Sequence, residues 1–239
     1  QSPVVDVAKA LGLKIIELCS PNTNPNLIVS KINRDEPCLS EEDRKSLDRK
    51  VDLALLLHTS GTTGKPKIVP LTQGNLCASV ENISRSLGLN SSDRGLNIMP
   101  LFHIHGIVAS LLSPLSRGGT VICSNGFDAL NFFQTLIDCK PTFFSAVPTM
   151  YQLILDRGTR HNSDFKHTLK FIRSSSASMP EVLKNKVENF FKVPLLEAYG
   201  MTEASHQIVS NTIFHSRKMG SVGKIESGQV GIVSSANKI

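Results

Sequence analysis

The sequence predicts an α/β protein: a parallel sheet flanked by helices, with the start of a small antiparallel β subdomain at the C-terminus. Three observations carry this expectation. Short apolar runs alternate with segments of helical period through most of the 239 residues. Several runs, "DLALLLHT" above all, are almost continuously apolar, as in strands buried on both faces of a parallel sheet. From Gly220 onward, "GSVGKIESGQVGIVSSANKI" changes to short glycine-punctuated stretches that suit antiparallel strands.

Taken in order, "VVDVAKALG" has helical spacing and "KIIEL" is a short apolar strand. Residues 20–50, with three prolines and "SEEDRK", read as a surface connection carrying one short helix. The strand "DLALLLHT" follows, then a hydroxyl-rich loop. "TQGNLCASVENISRSLG" places Leu76, Val80, Ile83 and Leu87 on one helical face, with Thr72 or Asn75 as cap. Beyond it the alternation continues. "GLNIMP", "GTVICS", "PTFFSAVP", "LKFIRSSSAS" and "PLLEAYG" read as strands; "HGIVASLLSPLSRG", "ALNFFQTLIDCK", "TMYQLILDRG" and "PEVLKNKVENFF" read as helices. The expected organisation is a partial N-terminal α/β subdomain and its connection over 1–50, an α/β core over 51–219, and the opening of a β subdomain over 220–239.

Composition narrows the function classes. With 40% hydrophobic residues the chain can bury a substantial core, and no run approaches the roughly 18 apolar residues of a membrane span. Five cysteines stand far apart with no C-x-x-C pair, which argues against a zinc site or a disulfide framework and for a reducing compartment. The net charge is +6, but the basic residues are scattered, aromatics make up 5% and Trp is absent, so a nucleic-acid partner is not expected. A polyphosphate substrate accounts for the excess as well. The N-terminus lacks a signal-peptide layout, in keeping with an expected soluble globular chain, and the absence of an initiator Met leads to the expectation of a fragment of a longer protein.

Three segments carry chemistry. From Thr59 to Lys67, "TSGTTGKPK" offers backbone N–H groups at Gly61 and Gly64, hydroxyls from Thr59, Ser60, Thr62 and Thr63, and cations from Lys65 and Lys67. Such a set suits phosphate oxygens. It is not the common G-x-x-x-x-G-K-[ST] loop, because the glycines are too close and Pro66 follows the lysine; an ordinary Ser/Gly linker would leave the lysines unexplained. In "AYGMTEASH", Thr202 and Glu203 can hold Mg²⁺ through hydroxyl and carboxylate oxygens, although a plain helix start with Thr as cap uses the same residues. In "PLFHIHG", strand-like spacing puts His103 and His105 on one face. A two-histidine metal site lacks a third ligand nearby, so one histidine is assigned to substrate and the other to a structural hydrogen bond. In an open parallel sheet all three segments would gather at the carboxyl ends of the strands.

Together, "TSGTTGKPK", "PLFHIHG", "AYGMTE" and "GSVGK" resemble the ordered signature motifs of the AMP-forming adenylate-forming superfamily, from about Asp52 onward. "LHTSGTTGKPKIVPLTQGNL", "AVPTMYQLILDRG", "LKFIRSSSAS" and "LLEAYGMTEASHQIVSN" resemble its oxalate-CoA ligase branch, whose members are cytosolic or peroxisomal. One departure is Ile68, where the superfamily usually carries Gly; a branched residue there would stiffen the loop exit.

The resemblance implies that a carboxylic acid attacks the α-phosphate of ATP, forming an acyl-adenylate and pyrophosphate, after which the thiol of CoA displaces AMP. It implies that Thr59, Ser60, Gly61, Thr62, Thr63, Gly64 and Lys67 wrap the β- and γ-phosphates. Thr202 would meet the α-phosphate, and Glu203 with Thr202 the Mg²⁺. Adenine would lie against Ser176, Ala177, Ser178 and Tyr199. Strand alternation would put Ser174, Ser176 and Ser178 on one face, and a helix would align Glu203 with His206. His103, Ser176, Ser178 and His206 would then line a polar acyl pocket suited to a second carboxylate, oxalate foremost, unless the serines only pack against adenine. The family's C-terminal lysine domain is not matched in these residues, so this chain alone is expected to be inactive. Other acyl- or aryl-CoA ligases, carrier-loading adenylation domains and a non-catalytic nucleotide- or RNA-binding module remain open alternatives.

Overall fold

A computed structural model describes residues 51–59, 66–158, 165–225 and 230–231, together with the backbone of 27–31. Among the described residues, ten strands and their helices build an eight-stranded sheet and a separate two-stranded hairpin. The sheet order is β1–β5–β4–β6–β7–β8–β9–β10, with β1 at Leu27–Lys31, β4 at Arg94–Asn97, β5 at Thr120–Ser124, β6 at Phe143–Ala146, β7 at Phe171–Ser174, β8 at Leu195–Met201, β9 at His206–Ser210 and β10 at Lys224–Ile225. Strands β5, β4, β6, β7 and β8 run parallel; at one edge β1 pairs antiparallel with β5, and at the other β9 pairs antiparallel with β8 and β10 antiparallel with β9.

Consecutive strand residues feed opposite cores, as the two-residue period of a strand requires. On one face Phe144, Ile172 and Leu195 meet helices α3 (Phe132–Cys139), α4 (Pro148–Gly158) and α5 (Glu181–Phe191). On the other, Phe143, Phe171 and Leu196 meet α1 (Gln73–Ser86) and a π-helix, His105–Leu112, which continues into α2 (Ser113–Ser116). The expected buried parallel sheet is therefore present, and both faces are covered by helices. The Thr72 side chain caps α1 in a reciprocal bond with Asn75. None of the helices is long and apolar enough to cross a membrane among the described residues.

The structure corrects the sequence expectations in five places. Strand β2 (Leu53–Thr59) is not a buried parallel strand: it pairs antiparallel with β3 (Lys67–Thr72) and is largely exposed. A seven-residue connection is too short for a parallel crossover, which needs a dozen or more. Pro70 sits within β3, where the missing donor is tolerated in a two-stranded hairpin. Residues 20–50 were expected to form a loop with one helix, whereas Leu27–Lys31 forms edge strand β1; the short apolar "LIV" was the missed signal. "PLFHIHG" is a turn leading into the π-helix rather than a strand, so His103 and His105 do not share a strand face. Strand β7 stops at Ser174, and Ser176 has a φ of 71°, so Ser174, Ser176 and Ser178 do not alternate along one face. After β8 the chain makes a 3-10 turn, Thr202–Ala204, and returns as β9; Glu203 and His206 lie on no common helix. The expected helix and strand over 3–18 and most of the 220–239 subdomain lie outside the described residues; within the latter, β10 pairs with β9.

Candidate active site

A cavity of about 300 Å³ opens at the carboxyl ends of β4, β6, β7 and β8. Met99, Val147, Ser176 and Thr202 enter it from four successive connections, with His105 from the π-helix and His206 from the start of β9. Two glycines let these connections approach. A Cβ on Gly106 would stand 2.3 Å from the Pro100 carbonyl oxygen, and one on Gly200 would stand 1.5 Å from that of His206. The first permits the turn before the π-helix; the second permits β8 and β9 to close beside the cavity.

Behind this wall lies a buried polar network centred on Arg173, which has no exposed surface. Its Nη2 donates to Gln207 Oε1 at 3.0 Å and to His206 Nε2 at 3.2 Å; its Nη1 reaches Ser145 Oγ at 3.3 Å and His105 Nε2 at 3.4 Å. Nε has no hydrogen-bond partner, and among the described residues no carboxylate pairs with the guanidinium. His105 Nε2 meets Ser145 Oγ at 2.6 Å and its Nδ1 meets Ser176 Oγ at 3.0 Å. The His105 and His206 rings stack with centroids 5.0 Å apart.

Burial sets the charge states. It holds both histidines well below the usual imidazole range, helped by the adjacent Arg173 charge and, more weakly, by His103 on His105 and by His105 on His206. Burial likewise lowers Arg173 to about 10, which leaves it cationic at neutral pH. The cavity is thus backed by one positive charge and two neutral imidazoles.

A second cavity of about 420 Å³ adjoins the first and shares Ser176 and Gly200 with it. Ala177, Ser178, Tyr199 and Glu197 are among the residues that line this second space. Glu197 Oε1 accepts from Lys184 Nζ of α5 at 2.6 Å, so its charge is matched inside the fold.

The structure brings His103, Ser176, Thr202 and His206 to the first cavity, and Ser176, Ala177, Ser178 and Tyr199 to the second. Ser178 therefore does not join the His206 side, because the chain has left the β7 register before it. Glu203 is exposed on the turn beside Thr202 and does not line the first cavity. Thr59 and Lys67 face each other across the tip of the β2–β3 hairpin; the loop Ser60, Gly61, Thr62, Thr63, Gly64 and Lys65 lies outside the described residues. Strand β3 packs against the Thr202–Ala204 turn, which brings the hairpin to the edge of the first cavity. Ile68 pairs with His58 in regular strand and has its side chain in solvent, so no unusual backbone angle is demanded of it. Arg173, Ser145 and Gln207 were missed; an arginine inside the apolar run "LKFIRSS" was the available signal.

A family model described as AMP-binding enzyme matches residues 6–238. The chain belongs to the AMP-binding enzyme family. This AMP-binding chain is 46% identical over 177 residues to the probable CoA ligase CCL9 of Humulus lupulus, covering 72% of itself and 34% of that protein. It is 37% identical over 242 residues to an oxalate–CoA ligase of Arabidopsis thaliana, covering its whole length and 47% of the relative. It therefore spans a third to a half of the length of these curated relatives. Among solved structures, an anthranilate CoA ligase in complex with anthranoyl-AMP superposes with a TM-score of 0.71 at 27% identity, over 79% of this chain and 37% of that one.

Proposed function

We propose that the protein is an ATP-dependent acid–CoA ligase that forms an acyl-adenylate and then an acyl-CoA, with oxalate as its acid. The observation that carries the reading is the pair of adjoining cavities sharing Ser176 and Gly200. An acyl-adenylate needs two such spaces joined at the reacting phosphate. The second takes adenine, against Tyr199 and the Ser176–Ser178 backbone. The first takes the acid, and Thr202 reaches the α-phosphate at the junction. The hairpin tip, with Thr59 and Lys67 and the loop between them, holds the β- and γ-phosphates.

Carboxylate attack on the α-phosphate sets anion against anion, so the site must supply positive charge or donors. Lys67 supplies one charge. The Thr202 hydroxyl and the exposed Glu203 carboxylate beside it are hard oxygen donors that fit Mg²⁺, an ion that keeps several waters and takes one or two carboxylates besides phosphate. When bound there, Mg²⁺ would neutralise charge building on the phosphate oxygens.

Oxalate is favoured because the first cavity is small and, beside Met99, Ile104, Val147 and Met201, presents His103, Ser176 and His206, polar groups that a fatty or aromatic acid would leave unpaired. The name of the Arabidopsis thaliana relative points the same way. The test is pyrophosphate release by the full-length protein against oxalate, medium-chain fatty acids and cinnamates. Oxalate is expected to give the highest kcat/KM; preference for either other class overturns the assignment. His206→Ala is expected to raise the KM for oxalate far more than that for ATP, and equal rises would remove His206 from the acid site.

A further inference from the structure

Arg173 is a fully buried cation that lacks an internal counter-ion among the described residues, which is a costly arrangement unless something else uses the charge. Its position dictates how the cavity wall is protonated. A guanidinium only donates. His206 Nε2 must therefore accept from Nη2, which leaves the ring proton on Nδ1. Nη1 donates to Ser145 Oγ and also reaches His105 Nε2 at 3.4 Å, so Nε2 is an acceptor; the Ser145 proton goes to it over the short 2.6 Å contact in preference to the Arg173 carbonyl oxygen at 3.3 Å. His105 then carries its proton on Nδ1 and gives it to Ser176 Oγ at 3.0 Å. Ser176 Oγ, already an acceptor, has its O–H left to donate, and Ser176 lines the cavity. The branch through Ser145, His105 and Ser176 thus points from the guanidinium toward the cavity, whereas the branch through Gln207 runs on to Ser86 Oγ, which does not line it.

We propose that Arg173 is the positioning residue for acid selection: through Ser145, His105 and His206 it turns the wall into a set of donors, and its unmatched charge attracts the carboxylate of a small dicarboxylic acid that does not react. This rests on the ligase reading of the same site. Arg173 touches neither ATP nor the reacting carboxylate in this arrangement; it acts by orienting two neutral imidazoles and by its field. A monocarboxylic acid has nothing to place against the donors, so the network discriminates by charge rather than by size. The ligand class follows from the chemistry: two carboxylates, separated by few enough atoms to fit about 300 Å³ with one end at Thr202.

The test uses the full-length protein, with acid-dependent pyrophosphate release measured for oxalate, malonate and propanoate. Arg173→Met is expected to raise the KM for the dicarboxylates tenfold to a hundredfold, roughly the scale of one lost hydrogen bond to a charged group, with a much smaller change for propanoate and for ATP. Gln207→Glu tests the idea without removing the guanidinium. The new carboxylate sits where Gln207 Oε1 now accepts from Nη2 at 3.0 Å, so it matches the charge internally. It is expected to keep the melting temperature at or above wild type while raising the dicarboxylate KM about tenfold or more. Equal rises for mono- and dicarboxylates in Arg173→Met, or an unchanged dicarboxylate preference in Gln207→Glu, overturn the inference. A wild-type protein that adenylates propanoate better than either dicarboxylate overturns it while leaving the ligase reading in place. No acid-dependent pyrophosphate release at all overturns the ligase reading itself.

Discussion

Two buried cations stand behind the two cavities, and they differ in one respect. Lys184 has its carboxylate inside the fold, on Glu197, at 2.6 Å. Arg173 has only neutral partners, two histidines, a serine and a glutamine. The cavity beside the matched pair is lined by small side chains and a tyrosine ring; the cavity beside the unmatched arginine is lined by Met99, Ile104, Val147 and Met201 together with His103, His105, Ser176, Thr202 and His206. The sheet edge is the same in both cases. What separates them is whether the fold supplies a counter-charge, as Glu197 does for Lys184, or only neutral partners, as for Arg173.

The largest test of that contrast removes the wall the cavities share. Gly200→Ala places a Cβ 1.5 Å from a backbone oxygen that has little room to move, so β8 and β9 must part. A loss above about 4 kcal/mol is expected in denaturant unfolding, with loss of binding at both sites. Next, Glu197→Gln leaves Lys184 buried and unmatched, which is expected to cost about 3–5 kcal/mol; replacing both partners by Met and Leu should recover most of it.

Arg173→Met sharpens the comparison further. It removes a cation that has no internal acid, so its stability loss is expected to be smaller than that of Glu197→Gln in the same unfolding assay. An equal or larger loss would mean that Arg173 is as structural as Lys184.

A pH series probes the imidazoles behind the first cavity. His105 and His206 have folded pKa values well below their unfolded value near 6.5, so between the two the unfolded chain binds more protons. Their contribution is fully present above about pH 6.5 and is lost as pH falls below it toward the folded values. Replacing both histidines by Gln should flatten this part of the stability profile. The smallest effect is expected on the surface: Glu81 bridges Arg85 and Arg117 but is half exposed, and Glu81→Ala should change stability by less than about 1 kcal/mol, falling further at high salt.

Much of the fold was legible in the order of residues. The central strands and α1, α3, α4 and α5 follow directly from apolar periodicity, and "PLFHIHG" and "AYGMTEASH" both reach the cavity as expected of segments at strand ends. The errors share one cause. "DLALLLHT", "FIRSSSAS" and the residues after Tyr199 were assigned the geometry of their neighbours, because hydrophobicity reports burial and period but not the partner strand. Strand direction at the sheet edges, and the turn at Ser176, depend on hydrogen bonds to residues distant in sequence.

By itself the sequence singled out the candidates for chemistry, the hydroxyls and lysines of the 59–67 loop, the histidines, Thr202 and Glu203, in an order that marks the AMP-binding enzyme family. Only the tertiary structure decided which of them meet. It put Ser178 in one cavity and His206 in the other, left Glu203 in solvent, and brought Arg173 from β7 beside His105 of the π-helix and His206 of β9. The physical reason is that covalent neighbours fix spacing along one element, whereas the field at a cavity is the sum of charges and donors delivered by several elements.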